Sequence, residues 1–157
     1  DFTRDILLKK CGTLKIMGFR YDGYVARMDS VNDFFCHNLA LLEAPVRNDL
    51  FNPEHPIYTK VKDEASAKYG ENASVKNSMV ADGCQIDGTV ANSIIFRGVG
   101  IKSGAVVKDS IIMQAVSIGE NCRLDHVILD KGVMMRDGRS LNGYEGFPII
   151  LKKGTVI

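Results

Sequence analysis

The residues of this chain with chemistry to offer are three histidines, four cysteines, one basic pair near the C-terminus and one arginine in an unexpected place. His37, His55 and His126 are the only imidazoles. A histidine-built hydratase centre needs three of them converging on one ion. Two of the three lie outside the repeat region described below, so no such centre is expected. An acyltransferase of repeat type needs a single histidine base, and only His126 lies in the repeat. It occupies a column otherwise filled by Asn77, Asn92 and Asp109, so a solvated corner residue is the expectation.

Cys11, Cys36, Cys84 and Cys122 contain no C-x-x-C pair, which argues against a structural zinc site. Cys84 and Cys122 fall at apolar positions of the repeat and read as small buried thiols of a reducing cytosol. Lys152 and Lys153 read as wetted surface with the capacity to meet a phosphate-bearing effector. The formal net charge is +1 in 157 residues, and no Lys/Arg block is long enough for a nucleic-acid footprint. No apolar run approaches a membrane span, and no secretory leader is read at the start. Neither nucleic acid nor membrane is an expected partner, and the expected location is the cytoplasm. The chain opens with Asp1 and runs at once into helix-like sequence, so a piece of a longer protein is expected.

Three segments must position these residues. Residues 1–42 read as helix, strand, helix. In "TRDILLKKCG", Thr3 is a candidate N-cap and Gly12 a candidate stop. "TLKIMGF" alternates as a strand does. "DSVNDFFCHNLALLE" offers Ser30 as N-cap with Asp33 three residues on, and Val31, Phe34, Phe35, Leu39 and Leu42 at helical spacing. Residues 43–68 carry Pro45, Pro53 and Pro56 among many charges and read as a linker with one possible strand at 57–61.

From Tyr69 to residue 157 a hexad repeat takes over. "NSIIFRGVGI" at 92–101 returns seventeen residues later as "DSIIMQAVSI" at 109–118. With hexads starting at Tyr69, Val80, Ile86, Ile95, Ile101, Ile112, Ile118, Leu129 and Met135, the fifth position is small or apolar in every case except Arg139. That column points inward. The fourth position is Gly or Asn except at Thr89 and Ala115, and Gly and Asn tolerate positive φ. Short strands turned at left-handed corners, three sides to a coil, predict a left-handed parallel β-helix of the hexapeptide-repeat kind, preceded by a small α/β remnant. Coils starting at Val80, Ile95, Ile112 and Leu129 are spaced 15, 17 and 17 residues apart. A prism with flat faces and exposed ends is an oligomerisation surface.

"DFTRDILLK", "GYVARMDSVNDFFCHNLALL", "HPIYTKVKDEASAKYG" and "NSMVADGCQI" occur in that order. In that order they resemble the C-terminal part of the glucose-1-phosphate adenylyltransferases, the ADP-glucose pyrophosphorylases of glycogen and starch synthesis. The resemblance covers essentially the whole chain. It implies a nucleotidyltransferase domain, of which residues 1–42 are the end, followed by the β-helix. It implies ATP, glucose 1-phosphate and Mg²⁺ as the needs of catalytic members, with the phosphate-binding glycine loop upstream of Asp1.

The resemblance also marks a departure. Catalytic members carry a segment like Tyr-Trp-x-Asp-Val-Gly-Thr whose Asp helps hold the metal. Aligned on Tyr24, this chain has Val25 for the Trp, Arg27 for the Asp, Asp29 for the Gly and Ser30 for the Thr. A guanidinium cannot ligate Mg²⁺ and its charge opposes the ion. No catalytic, cofactor-binding or metal residue is therefore expected in this stretch of chain, and it should not catalyse alone. The substitution resembles the GlgD-type regulatory subunits of the family. These are implied to pair with a catalytic GlgC-type subunit in a hetero-oligomer, a tetramer, and to answer to phosphorylated small-molecule effectors. Two alternatives stay open: a catalytically competent nucleotidyltransferase parent in which Asp29, two residues on, or an upstream carboxylate supplies the metal ligand, and a hexapeptide acyltransferase using His126.

Overall fold

A computed structural model describes residues 1–59 and 61–157. From residue 68 onward the chain winds through fifteen short strands in three five-stranded sheets, and every pairing between strands is parallel. Strands β1 (Lys68–Tyr69), β4 (Gln85–Ile86), β7 (Gly100–Ile101), β10 (Ser117–Ile118) and β13 (Met134–Met135) make the first wall. The second wall is β2 (Ser74–Lys76), β5 (Thr89–Ala91), β8 (Val106–Lys108), β11 (Arg123–Asp125) and β14 (Ser140–Asn142). The third is β3 (Met79–Val80), β6 (Ile94–Ile95), β9 (Ile111–Ile112), β12 (Val127–Leu129) and β15 (Ile149–Leu151). The expected left-handed parallel β-helix is the fold.

The core is the axis of this prism. Ile86, Ile101, Ile118 and Met135 stack in register on the first wall. Val90, Val107 and Leu124 stack on the second, and Ile95, Ile112 and Leu129 on the third. All ten are 2% exposed or less. Each is worth about 1.5–3 kcal/mol in burial, and each gains that only if the next coil covers it.

Left-handed corners occur where the hexads place them. Gly83, Gly98, Ala115, Gly132 and Gly154 have φ of 73°, 67°, 56°, 66° and 70° at one edge; Gly104, Asn121 and Gly138 have 72°, 56° and 70° at another. A third column, Asn77, Asn92, Asp109 and His126, is also left-handed, with φ between 42° and 50°. Thr89 breaks the expected pattern, because it is a strand residue of β5 paired with Ser74 and Val106. The two-residue shortfall of the 15-residue coil lies just before it. There Gly88 meets Ala105 in register, so Val90 pairs with Val107 rather than aligning with Ala105. A Cβ on Gly88 would stand 2.5 Å from the Ala105 carbonyl oxygen, which is why this tightened corner carries a glycine.

The third wall is apolar on both faces. Outward from it project Met79, Ile94, Ile111, Ile128 and Ile150, one from each strand. Helix α2 (Val31–Ala40) lies on this stripe. Its Phe35 is 3% exposed and clusters with Ile111 and Ile128, with Phe34, Leu39, Phe96 and Met113 around them. The doubled isoleucines of "NSII" and "DSII" thus serve two cores, one inside the prism and one beneath the helix. Ser30 caps α2 as the sequence predicts, its hydroxyl accepting the Asp33 N–H at 3.0 Å.

Several local expectations fail. The first helical segment is a π-turn stretch at Phe2–Leu7 followed by α1 (Leu8–Lys10), and its cap is Asp1, not Thr3. "TLKIMGF" forms no strand: a strand needs a partner for its backbone groups, and none of the described residues supplies one. The same holds at 57–59 and at Val61; Lys60, in the middle of that expected strand, lies outside the described residues. Within 43–68 the chain instead forms helix α3 (Ala44–Leu50), started by Glu43 with Pro45 in its first turn. There a proline needs no donor and its fixed φ suits the helix.

Candidate functional site

Two corners of the prism gather polar side chains, and both follow from the winding. At the first, the residues preceding the left-handed turns stack coil upon coil as Asp82, Arg97, Gln114, Lys131 and Lys153. The amides that follow confirm the order: Gly98 donates to Asp82, Ala115 to Arg97, Gly132 to Gln114 and Gly154 to Lys131. With coils about 4.8 Å apart, the lower part of this column is a line of like charge. Lys62 reaches the same place from the chain entering the prism, and Lys62, Arg97, Gln114 and Lys131 line a cavity of about 350 Å³. Gln114 Oε1 is shut off from solvent without a hydrogen-bond partner among the described residues. Cations on three sides with no carboxylate in the lining make a place for an anion. Sequence alone pointed to Lys152–Lys153; the fold shows that Lys153 belongs to this column, while the signal for Arg97 and Lys131 was their common offset of one residue before a turn.

At the second corner stand Asp109 and His126, with Asp125 beside them. Their ligand-type atoms all lie within 4.8 Å of one another, and each side chain is half-buried. His126 is not the freely solvated residue expected. Its Nδ1 is hydrogen-bonded to Asp125 Oδ1, and its ring lies 5.9 Å from that of Phe35, tilted by 35°. The helix on the third wall covers one side of it and leaves the rest open to solvent.

The remaining candidates are scattered. His37 Nδ1 shares a 2.7 Å hydrogen bond with Tyr24 Oη, and the Tyr24 N–H donates to Asp49 Oδ2 at 2.7 Å. His55 is exposed in the turn after α3. Cys84 and Cys122 are buried, their thiols donating to the Phe96 and Arg136 carbonyls at 3.1 Å each, and burial pushes the Cys84 thiol up. Cys11 and Cys36 are exposed. Arg27 is exposed, and its Nε meets Asp29 Oδ2 at 2.6 Å.

Residues 61–144 match the profile of the GlmU-like, C-terminal hexapeptide family. The chain belongs to that family. Among individual relatives of this hexapeptide-family chain, a glycogen biosynthesis protein GlgD of Bacillus subtilis (strain 168) is 43% identical over 148 residues, 94% of this chain and 43% of that protein. A protein of the same name from Geobacillus stearothermophilus is 49% identical over 119 residues, 76% of this chain and 35% of its own length. A glucose-1-phosphate adenylyltransferase of Fervidobacterium nodosum is 33% identical over 138 residues. The chain thus spans less than half the length of these relatives. Among the described residues no helix is long and apolar enough to cross a membrane.

Proposed function

We propose that this chain is the C-terminal part of a regulatory subunit of the ADP-glucose-forming enzyme of glycogen biosynthesis, working in the cytoplasm. Its β-helix serves assembly with a catalytic partner subunit and relays the binding of an anionic effector. The observation that carries this reading is the Arg27–Asp29 ion pair. It stands where the resemblance puts the metal-holding carboxylate of catalytic members. The residues present do not fit Mg²⁺: a guanidinium replaces the ligand and also occupies the nearest carboxylate. The higher identity to GlgD proteins than to the adenylyltransferase supports the same side of the family.

The column of Arg97, Lys131 and Lys153 with Lys62 suits a phosphorylated effector, because phosphate takes charge-assisted hydrogen bonds from several cations at once. It lies at a corner that Lys62 of the linker reaches, one residue on from Phe96, which packs against the Phe35 cluster. An effector held there touches the linker through Lys62 and the prism through Arg97 and Lys131.

The test uses the full-length parent. Alone it forms no ADP-glucose from ATP and glucose 1-phosphate at rates typical of the family; mixed with a catalytic subunit it raises that subunit's activity. Full activity of the parent by itself overturns the reading. Lys131→Ala in the mixed enzyme weakens activation by phosphorylated effectors while the assembly keeps its size.

A further inference from the structure

Asp109, Asp125 and His126 form a set of donors that the proposed function leaves unused. We propose that they bind a first-row divalent cation of the zinc or cobalt kind. The corner column begins as an amide ladder, with Asn77 Nδ2 donating to Asn92 Oδ1 at 2.9 Å. An amide carries donor and acceptor, so such a ladder satisfies itself. Two coils on, the ladder is replaced by a carboxylate at Asp109 and an imidazole at His126, and the end of β11 adds the carboxylate of Asp125. The donor set becomes one nitrogen and two anionic oxygens from three different residues of two adjacent coils.

The charge at this point is unbalanced. Among the described residues no Lys or Arg nitrogen comes within 4.0 Å of either carboxylate; the one basic partner is His126 itself. The Asp109 carboxylate makes no hydrogen bond with any described residue, although its residue is half-buried at the corner. Lys108 is the register partner of Asp125 one coil away, but it is exposed and makes no ion pair with that carboxylate within 4.0 Å. A dication would neutralise both acids and take the imidazole nitrogen as its third ligand.

The geometry is close to what such an ion needs. Zinc sits about 2.0–2.2 Å from nitrogen and oxygen ligands, so two ligand atoms on one tetrahedral ion lie about 3.4 Å apart. Ligand atoms here lie within 4.8 Å of one another, and rotation of the aspartate side chains toward the imidazole draws them to that spacing. Three protein ligands leave a fourth position open to water. Phe35 walls one side and the Asp125 hydrogen bond orients the imidazole, so the ligand least able to adapt is already placed. Imidazole with carboxylates suits zinc, cobalt or manganese, whereas Mg²⁺ prefers an all-oxygen octahedron.

The experiment titrates this chain, with Cys11→Ser and Cys36→Ser to remove the exposed thiols, using Co²⁺ followed by visible absorption, and then Zn²⁺ in competition. One equivalent of Co²⁺ binds without thiolate charge-transfer absorption, and Zn²⁺ displaces it. His126→Asn, which restores the residue of the upper column and keeps the left-handed corner, lowers affinity by roughly tenfold or more, as does Asp109→Asn. Mg²⁺ at millimolar concentration does not compete. Absence of saturable Co²⁺ binding overturns the proposal. So does binding that His126→Asn leaves unchanged, or that Mg²⁺ abolishes, since either marks a general acidic surface. Because the readout is metal binding by this chain, it stands or falls apart from any role in adenylyl transfer.

Discussion

Ser110 gives its backbone N–H to the hydroxyl of Ser93 at 3.1 Å, while that hydroxyl donates to the Ala91 carbonyl at 2.7 Å. The relation repeats along the corner of Asn77, Asn92, Asp109 and His126. Ser93 N–H donates to Ser78 Oγ and Val127 N–H to Ser110 Oγ, each at 3.1 Å, and Ser78 and Ser110 donate back to the carbonyls of Lys76 and Lys108. After a left-handed residue the next N–H misses the carbonyl of the neighbouring coil, and a hydroxyl bridges the gap. In the following coil Val127 supplies none, and Ile149 N–H returns to the His126 carbonyl. Ser93 and Ser110 are wholly buried, so no water takes over if they are removed.

Ser110→Ala therefore leaves the Val127 N–H and the Lys108 carbonyl without their partner. A buried orphaned polar group costs about 1–3 kcal/mol. The expected result is a loss of that size in chemical denaturation, with the β-helix otherwise intact. Ser78→Ala, at the half-buried end of the ladder, costs less. Equal costs at the two ends would mean that the hydroxyls are not acting as backbone bridges.

Gly88 and Gly100 make a second pair of opposites. An alanine at 88 sets its Cβ against the Ala105 carbonyl oxygen, which is backbone and cannot rotate away, whereas a Cβ at 100 meets nothing within 4 Å. Gly88→Ala is expected to destabilise by about 1–3 kcal/mol and Gly100→Ala by less than about 0.5 kcal/mol. Thermal melts of the two variants side by side check it.

The prism was legible because its signal is repeated: one inward column and one Gly or Asn column, read over nine hexads, outvote any single exception. Thr89 was misplaced because a two-residue deletion is invisible to a count that restarts at each apolar residue; only pairing with Val106 locates it. The outer Ile94, Ile111 and Ile128 were present in the sequence as doubled isoleucines, and two neighbouring apolar residues on a strand mean that both faces are covered. Residues 13–29 were not legible, because alternation predicts a strand only where another strand exists to pair with it. The two polar corners were hidden for a different reason. Arg97 and Lys131 are 34 residues apart in sequence, and nothing but the 17-residue coil brings them together.

Thiol chemistry separates the four cysteines. The thiolate is the reactive form, and burial pushes the Cys84 thiol up and away from it, while Cys122 has no exposed surface at all. Near pH 8 the native chain should react with a disulfide reagent at two sites, Cys11 and Cys36, and at four after denaturation. Fast native labelling at Cys84 or Cys122 would show that the prism opens readily.

Phe35 joins the helical segment to the prism, and its removal should act locally. Phe35→Ala deletes the buried ring from the Ile111–Ile128 cluster, a loss of about 3–5 kcal/mol for a core aromatic. That energy belongs to the docking of α2, since the coils are held by one another. Hydrogen exchange is expected to show loss of protection at 31–40 with the strands from 85 to 129 unchanged. Loss of protection through the whole prism would place Phe35 in the main core instead.

The same helix should loosen in acid. The Asp33 carboxyl is held below its ordinary value, first by a hydrogen bond from the Ser30 side chain; burial pushes against this, and the Ser30 and Asp29 amides and the charge of His37 add to the lowering. A group with a depressed folded pKa contributes its stability above the unfolded value, about 3.9, and loses it as pH falls through the lower folded value. The helix should thus keep its docking from neutral pH down to about pH 4 and weaken below it. Methyl resonances of Ile111 and Ile128, shifted by the Phe35 ring, report that docking directly. In Asp33→Asn they should start from a weaker helix and change less over the acid range. If wild type and Asp33→Asn titrate identically there, the capping carboxylate is not what acid removes.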